Sequence, residues 1–285
     1  MQPSLMLATL CLNEMEWLPK LYEQHQHWPG LVKWVFVESA DAMYAKANPN
    51  LVSHKGLSID GTSDFLRDLT ARDGRVIYIP LGLSTHSDPA QGKVASRNTY
   101  AEVAEKVNPD YLLVVDADEF YCHKDQPRIV EYMGRKQDYG KYAFVFRQRE
   151  IWRPPSIADK PLFDLEIKGS LWNITHARGW KWKSGLRYYE HNHLEEGPQR
   201  YNTANSVVRF DDPGDPQYIH LGFASSEPMR VAKNAYYVER GEANDGHGKH
   251  VICRDTFRTW TPGGYAMPFN SRVVAYDGPI PEVFQ

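Results

Sequence analysis

Cysteine is scarce in this chain: three in 285 residues, at Cys11, Cys122 and Cys253. The number is odd and the spacing wide, so neither a disulfide framework nor a cysteine-rich zinc site follows, and a reducing, cytoplasmic setting fits best. Long hydrophobic runs are missing as well. The apolar stretch Leu5–Leu12 falls far short of the ~20 residues of a membrane span, and no Lys or Arg precedes it, so it reads as a first strand rather than a signal peptide. Neither sign of charge dominates: 33 Lys and Arg stand against 36 Asp and Glu, so any nucleic-acid contact would need a local basic patch. There is no internal repeat and no low-complexity segment. No G-x-G-x-x-G follows the first apolar run and no G-K-[ST] occurs, which argues against a dinucleotide enzyme and a P-loop ATPase. What remains is an ordinary globular composition, 42% hydrophobic and 24% charged, which excludes a disordered, collagenous or coiled-coil chain. The length suffices for one large domain or two small ones with a real core. Aromatic residues are plentiful, with 8 Trp, 17 Tyr and 11 Phe, and ligand-stacking surfaces are one reason for such a content.

The first 120 residues alternate strand and helix four times. Leu5–Leu12 is nearly continuous in apolar residues, as a strand buried on both faces should be. Asn13 and Glu16 form a capping-box variant before a helix through Trp17, Leu18, Leu21 and Trp28. Val32–Val37 is a second strand with Glu38 at its end, and residues 39–61 read as a long loop. Thr62 or Ser63 caps a short helix, Arg75–Ile79 is a third strand, and Asp88-Pro89 opens a helix to about Val107. Tyr111–Val115 is a fourth strand, running into Asp116-Ala117-Asp118-Glu119. Such alternation predicts a mostly parallel sheet with helices on both faces and a ligand at the C-terminal strand ends. The second half changes character: 143–146, 171–174, 179–183 and 218–221 read as strands, 225–240 as a helix, and the tail after Pro262 as a surface wrap.

Asp116 and Asp118 are the main chemical signal. Two carboxylates two residues apart at a strand end can hold Mg²⁺ or Mn²⁺, and such an ion can bridge a diphosphate. A bare D-x-D is weak; its place after the fourth strand of an alternating series gives it weight. Lys93 and Arg97 share one face of the preceding helix and could meet phosphate oxygens or a nucleobase, or simply solvent. His220, flanked by Ile219 and Leu221, is either a core histidine or a ligand.

These features together resemble the GT-A glycosyltransferases, especially family-2-like members. The matching stretches are Thr9 to Asn13-Glu14 after strand one, the acidic Glu38 ending strand two, Gly92-Lys-Val-Ala-Ser-Arg97-Asn98, and Tyr-Leu-Leu-Val-Val-Asp116-Ala117-Asp118-Glu119. Tyr218-Ile-His220-Leu-Gly222-Phe223 before a helix matches more loosely, and residues 121–214 match nothing. The resemblance implies an α/β GT-A (Rossmann-like) sheet plus a mixed β-rich acceptor half, in one domain whose residues 1–120 bind a nucleotide-sugar, UDP-sugar first among them. It implies a donor site from Thr9, Asn13, Glu14, Glu38, Lys93, Arg97, Asp116 and Ala117. It further implies a Mn²⁺ or Mg²⁺ site from Asp116, Asp118 and His220. Glu38 stands where Asp is usual, with a long insertion after it.

Two further segments bear on the acceptor. Glu190-His191-Asn-His193-Leu-Glu195 offers carboxylates and imidazoles, and inverting glycosyl transfer needs one such group to take the acceptor hydroxyl proton. Gly185 six residues before His191 also imitates half of a cupin metal motif, so a metal-dependent oxygenase is an alternative. Residues 167–189 lack acids but hold Lys168, Arg178, Lys181, Lys183 and Arg187 with Trp172, Trp180 and Trp182. Trp180 and Trp182 alternate with Lys181 and Lys183, either as core against solvent or as an acceptor platform. A platform would suit a glycan, or a flipped hydroxymethylated base in DNA. The competing class is a non-catalytic carbohydrate- or DNA-binding protein, which has no need of a diphosphate site. The expected whole is a glycosyltransferase of hexosyltransferase type, moving a sugar from a nucleotide-diphosphate donor to a hydroxyl.

Overall fold

The computed structural model describes residues 2–135, 142–151, 163–167, 177–190, 193–197, 199–200, 207–210, 212, 214–222, 225–239, 265–266, 271–275 and 278–285. The first half runs β1 (Leu5–Cys11), α1 (Leu18–His25), β2 (Leu31–Ala40), α2 (Ala42–Ala47), α3 (Thr62–Arg72), β3 (Val76–Leu83), α4 (Pro89–Val107) and β4 (Tyr111–Val114). There follow β5 (Glu119–Tyr121), α5 (Gln126–Arg135), β6 (Ala143–Glu150), β7 (Phe163–Ile167), β8 (Ala177–Lys181), β9 (Arg187–Glu190), β10 (His193–Glu196), β11 (Gln199–Arg200), β12 (Val207–Phe210), β13 (Gln217–His220), α6 (Glu227–Glu239), β14 (Tyr265–Ala266) and β15 (Ser271–Ala275). The predicted strand at 171–174 lies outside the described residues.

The mixed α/β, mostly parallel sheet expected from the alternation is present. Its order is β3-β2-β1-β4-β8-β6-β13-β5, with β12 beside β6. Alternate residues of each central strand feed two cores. Leu5 and Leu7 of β1, Trp34 and Phe36 of β2 and Leu113 of β4 pack with Leu18 and Leu21 of α1, Leu66 of α3 and Ile129 of α5. Met6, Ala8, Val35, Val37 and Leu112 face the other way, onto Val94, Tyr100 and Ala104 of α4. That two-sided burial is why β1 reads as a continuous apolar run. Asp88 caps α4 through its Ala90 amide at 2.9 Å, and Asn108 ends the helix in the left-handed region at φ 49°.

Strand direction decides where the site can form. The pairs β3-β2, β2-β1 and β1-β4 are parallel. β8 is antiparallel to both β4 and β6, and β13 is parallel to β6. Two reversals cancel, so β13 runs with β4, and His220 emerges at the same edge of the sheet as Asp116 although about a hundred residues separate them in sequence.

Four local expectations fail. Neither Thr62 nor Ser63 caps α3: both lie inside it, behind Gly61 at φ 98°, with no side-chain cap. The Asn13–Glu16 capping box does not form: α1 starts at Leu18 after Trp17 without a side-chain cap, and Asn13 adopts φ 56°. The helix stops at His25, short of Trp28. Residues 39–61 are not a plain loop but hold α2 and a 3-10 turn at Pro49–Leu51, with Asp41 capping α2 through the Met43 amide at 2.8 Å.

His25 sits in the first core, fully buried among Trp28, Trp34, Phe120 and Tyr121, with Nε2 accepting the Tyr121 amide proton at 3.1 Å. Burial lowers its pKa to about 3, so it stays neutral in the fold while the unfolded chain takes up a proton below pH ~6.5. The stabilising contribution is complete above that pH and is lost as pH falls toward 3. Stability should therefore decline by up to about 1.4 kcal/mol per pH unit below pH ~6.5 from this group alone. Denaturant melts at pH 7, 6 and 5 check this, with His25→Gln expected to show a shallower slope than the parent.

Candidate active site

The C-terminal ends of β1, β2, β4 and β13 face a cavity of about 240 Å³, walled by Asn13, Glu14, Asp41, Lys93, Asp118, Gly222 and Lys233 among others. It lies where an open α/β sheet places ligands. Helix α6 forms one wall. It rests on α2 through Tyr44 and Tyr236, whose ring centroids are 5.8 Å apart, and through Asn48, whose Nδ2 donates to the Ala232 carbonyl at 3.0 Å.

The Asp116-Ala117-Asp118 turn separates its two carboxylates. Asp116 is held from below: Arg178 of β8 reaches Oδ2 at 3.1 Å and Arg97 of α4 reaches Oδ1 at 3.5 Å. Both arginines are buried, at 1% and 5% side-chain exposure, so their charges need such partners. Burial alone would raise the Asp116 carboxyl; Arg178 and then Arg97 outweigh it and hold the group below its usual range. Glu119 completes the cluster, paired with Arg178 through one oxygen and accepting the Asp116 amide at 3.0 Å through the other. Ala117 is a core residue, 2% exposed.

Asp118 lines the cavity, and His220 stands behind it as its ion-pair partner. Their Oδ2 and Nε2 atoms are 3.4 Å apart, and Leu221 donates its amide to the Asp118 carbonyl at 2.8 Å, which ties β13 to the turn. His220 and Lys233 hold the Asp118 carboxyl well below the normal range against the opposing effect of burial. Gly222 leaves the space above them open: a Cβ there would lie 2.6 Å from His220 Cε1 and 3.2 Å from Asp118 Oδ2. A carboxylate oxygen and an imidazole nitrogen under a space that a methyl group would fill form a donor set that fits Mn²⁺ or Mg²⁺. No group of three or more His, Cys, Asp or Glu is gathered among the described residues, so an ion here would take its remaining ligands from substrate and water.

Several residues expected at the donor site serve the framework instead. Thr9 is fully buried, donating to the Val115 carbonyl at 2.8 Å and accepting Trp34 Nε1 at 2.9 Å. Glu38 is fully buried and turned away from the cavity: it accepts the Ser58 amide at 2.6 Å, the Ser63 hydroxyl at 2.9 Å and the Tyr78 hydroxyl. Asn13 lines the cavity, yet its side chain staples the inserted segment, donating to the Leu51 carbonyl at 2.7 Å and accepting the Ile59 amide at 3.0 Å. Arg97 lies beneath the turn, whereas Lys93, one helical turn earlier, reaches the cavity. Asn98 exchanges two hydrogen bonds with the Tyr188 backbone, at 2.7 and 3.0 Å, and so docks β9 on α4. Glu14 does line the cavity, and burial followed by the charge of Asp118 raises its pKa well above that of an ordinary carboxyl.

The expected acceptor platform is corrected. Trp180 and Trp182 are core residues, 1% and 7% exposed, packed on the α4 side of the sheet. Lys183 pairs with Glu196 at 2.6 Å, Arg187 with Glu105 at 3.8 Å, and half-buried Lys181 does not line the cavity. Glu190, His193 and Glu195 belong to the small β9-β10-β11 sheet and do not line the cavity either. His193 Nδ1 lies 2.9 Å from Glu190 Oε2, and Glu195 stands opposite Arg187 and Arg200. His191, like Lys168 and Trp172, lies outside the described residues. Without a three-ligand cluster among those described, a cupin-type centre on His193 has no support.

Three residues escaped the sequence reading. Asp41 lines the cavity, and its Oδ2 is buried with no hydrogen-bond partner. Only its place after the second strand could have flagged it. Lys233 comes from α6, and nothing in sequence relates that helix to the first half. Arg178 was visible as one of five cations, but the pattern there suggested a surface rather than a buried contact.

No family model matches the chain, and no curated protein matches it. Among solved structures, the crystal structure of S. aureus TarS 1-349, a glycosyltransferase, is similar at 12% sequence identity and a TM-score of 0.43. The match covers 83% of this chain and 65% of that one, so the chain spans less than two thirds of that structure's length.

Glu38 generates a direct expectation. Glu38→Ala leaves the Ser58 amide and two hydroxyls without their acceptor and should cost about 2–4 kcal/mol by denaturant melts. Amide hydrogen exchange at Ser58 and Ile59 should accelerate together in the variant, because the segment they anchor loses its hold on β2.

Proposed function

We propose that the protein is a metal-dependent glycosyltransferase that moves a sugar from a nucleotide-diphosphate donor, a UDP-sugar first among them, to a hydroxyl acceptor. The observation that carries this reading is the meeting of Asp118 and His220 beneath Gly222, at the wall of a cavity on the C-terminal edge of a parallel sheet. Asp118 and His220 would hold the ion, and a bound Mn²⁺ or Mg²⁺ would neutralise the diphosphate as it leaves. Lys93 and Lys233 line the same cavity and offer cations to the phosphate oxygens. Asp41, with its buried unpartnered oxygen, suits a ribose hydroxyl or a base N–H.

Transfer requires the acceptor oxygen to bond to the anomeric carbon as the carbon–oxygen bond to the diphosphate breaks, with the acceptor proton passing to a base. Glu14 lines the cavity and is the carboxyl we assign to that proton, in place of the β9-β10 residues. A glycan hydroxyl is favoured over a base in DNA, because Trp180 and Trp182 are buried and Lys183 and Arg187 are ion-paired.

A thermal-shift panel of nucleoside diphosphates and nucleotide sugars, with and without Mn²⁺, tests the donor site. A ligand at 100 times its Kd should stabilise the fold by about 2.7 kcal/mol, and the shift should require the ion. No stabilisation by any nucleoside diphosphate would remove the donor reading. Asp118→Ala should abolish the Mn²⁺-dependent shift without lowering the melting temperature of the ligand-free protein by more than a few degrees. His220→Gln should retain part of the Mn²⁺ response that His220→Ala loses. Equal activity of the parent protein in EDTA and in Mn²⁺ would exclude the metal role.

A further inference from the structure

Three buried or half-buried carboxylates, Asp116, Asp118 and Glu119, stand within one turn of chain, with two buried guanidinium groups against them. The contacts are unequally shared. Arg178 lies between Asp116, at 3.1 Å, and Glu119, and its Nε donates to the Tyr218 hydroxyl at 3.4 Å. Arg97 takes the other Asp116 oxygen. Asp118 pairs instead with His220, at 3.4 Å. The two guanidinium groups thus face Asp116 and Glu119, whereas Asp118, the member of the cluster that lines the cavity, faces His220.

We infer that Arg178 is a positioning residue that keeps Asp116 out of the metal shell and leaves Asp118 as the carboxylate of the Asp116-Ala117-Asp118 turn that meets the ion. The inference rests on the donor-site reading above and gives the two aspartates different tasks. Asp116, clamped through both oxygens, fixes the turn; Asp118 ligates. The clamp comes from β8, whose Ala177–Lys181 segment also pairs β4 with β6, so the residue that orients the turn is carried by the strand that joins the two halves of the sheet. A fork-shaped guanidinium suits this task because it can engage two carboxylates at once, which an ammonium cannot do with the same geometry.

The test separates positioning from simple structural support. The double variant Arg178→Gln with Glu119→Gln removes a cation and an anion together, so no buried charge is left over from that pair, and it releases Asp116 Oδ2. Free Mn²⁺, measured by electron paramagnetic resonance during titration with UDP present, should show binding tightened by about fivefold or more, as Asp116 joins Asp118 around the ion. Donor turnover should fall while the donor KM changes little. A merely structural role would lower the melting temperature and loosen Mn²⁺, or leave it alone. A folded double variant with unchanged or weaker Mn²⁺ affinity overturns the inference.

Asp116→Asn provides the second arm and does not touch the Arg178–Glu119 pair. Its Mn²⁺ affinity should stay within about threefold of the parent's, whereas Asp118→Asn should lose binding, since one oxygen ligand of a hard ion is removed outright. Equal loss in both variants would make Asp116 a ligand and end the proposal. A parent protein that binds no Mn²⁺ with UDP would instead overturn the donor reading itself, and the positioning role with it.

Discussion

The Arg178 guanidinium lies between Asp116 and Glu119 with 5% of its side chain exposed. A charge so placed would be costly unless paired, and removing one partner of a buried pair typically costs about 3–5 kcal/mol. The pairing constrains the rest of the molecule. It requires β8 to pass beside β4 with Arg178 at the turn, and the antiparallel passage of β8 lets β6 and β13 run in the direction of β4. The meeting of Asp118 and His220 follows from that direction, and the cavity follows from the meeting.

A second set of polar residues does architectural work that sequence motifs would assign to ligands. Asn13, Glu38 and Asp60 hold the segment between β2 and α3 against the end of β1; Asp60 accepts the Met15 amide at 3.0 Å, and Thr62 accepts the Glu14 amide at 2.9 Å. Asn13 adopts φ 56°, a region that Asn enters more readily than most residues, and its amide bonds across to Leu51 and Ile59. Burial of a polar side chain demands partners, and here the chain itself provides them. Asp41, Lys93, Lys233, Asp118 and Glu14 are the charged residues of the cavity, with Glu16.

Much of the fold was legible in the sequence because hydrophobic pattern reports burial directly. Leu5–Leu12 and Tyr111–Val115 read as strands covered on both faces, and the Asp88-Pro89 start of α4 was explicit in its cap. The Asp116–Asp118 turn could be located because it ends such a strand. The roles of Glu38, Thr9, Asn13, Trp180 and Trp182 could not be read. Each is polar or aromatic at a position where side-chain direction, set by tertiary packing, separates a ligand from a support. Alternation in 180–183 placed Trp and Lys on opposite faces, but not which face meets the core. Lys233 and Arg178 were beyond reach for another reason: their partners lie in the other half of the chain, and a single sequence carries no signal for long-range pairing.

The place of β13 has a consequence for how the protein is made. β13 pairs β5 on one side and β6 on the other, with Tyr218 opposite Tyr121. On a ribosome, β5 emerges about 100 residues before its partner, a delay of about 5–20 s at ordinary elongation rates. During that interval the Asp116–Asp118 turn exists without His220, Gly222 or the α6 wall, and the edge that β13 will cover is open to other chains. Assembly of the cavity is thus a late event in synthesis, and a nascent chain interrupted before residue 217 carries an exposed strand edge in place of an active-site wall.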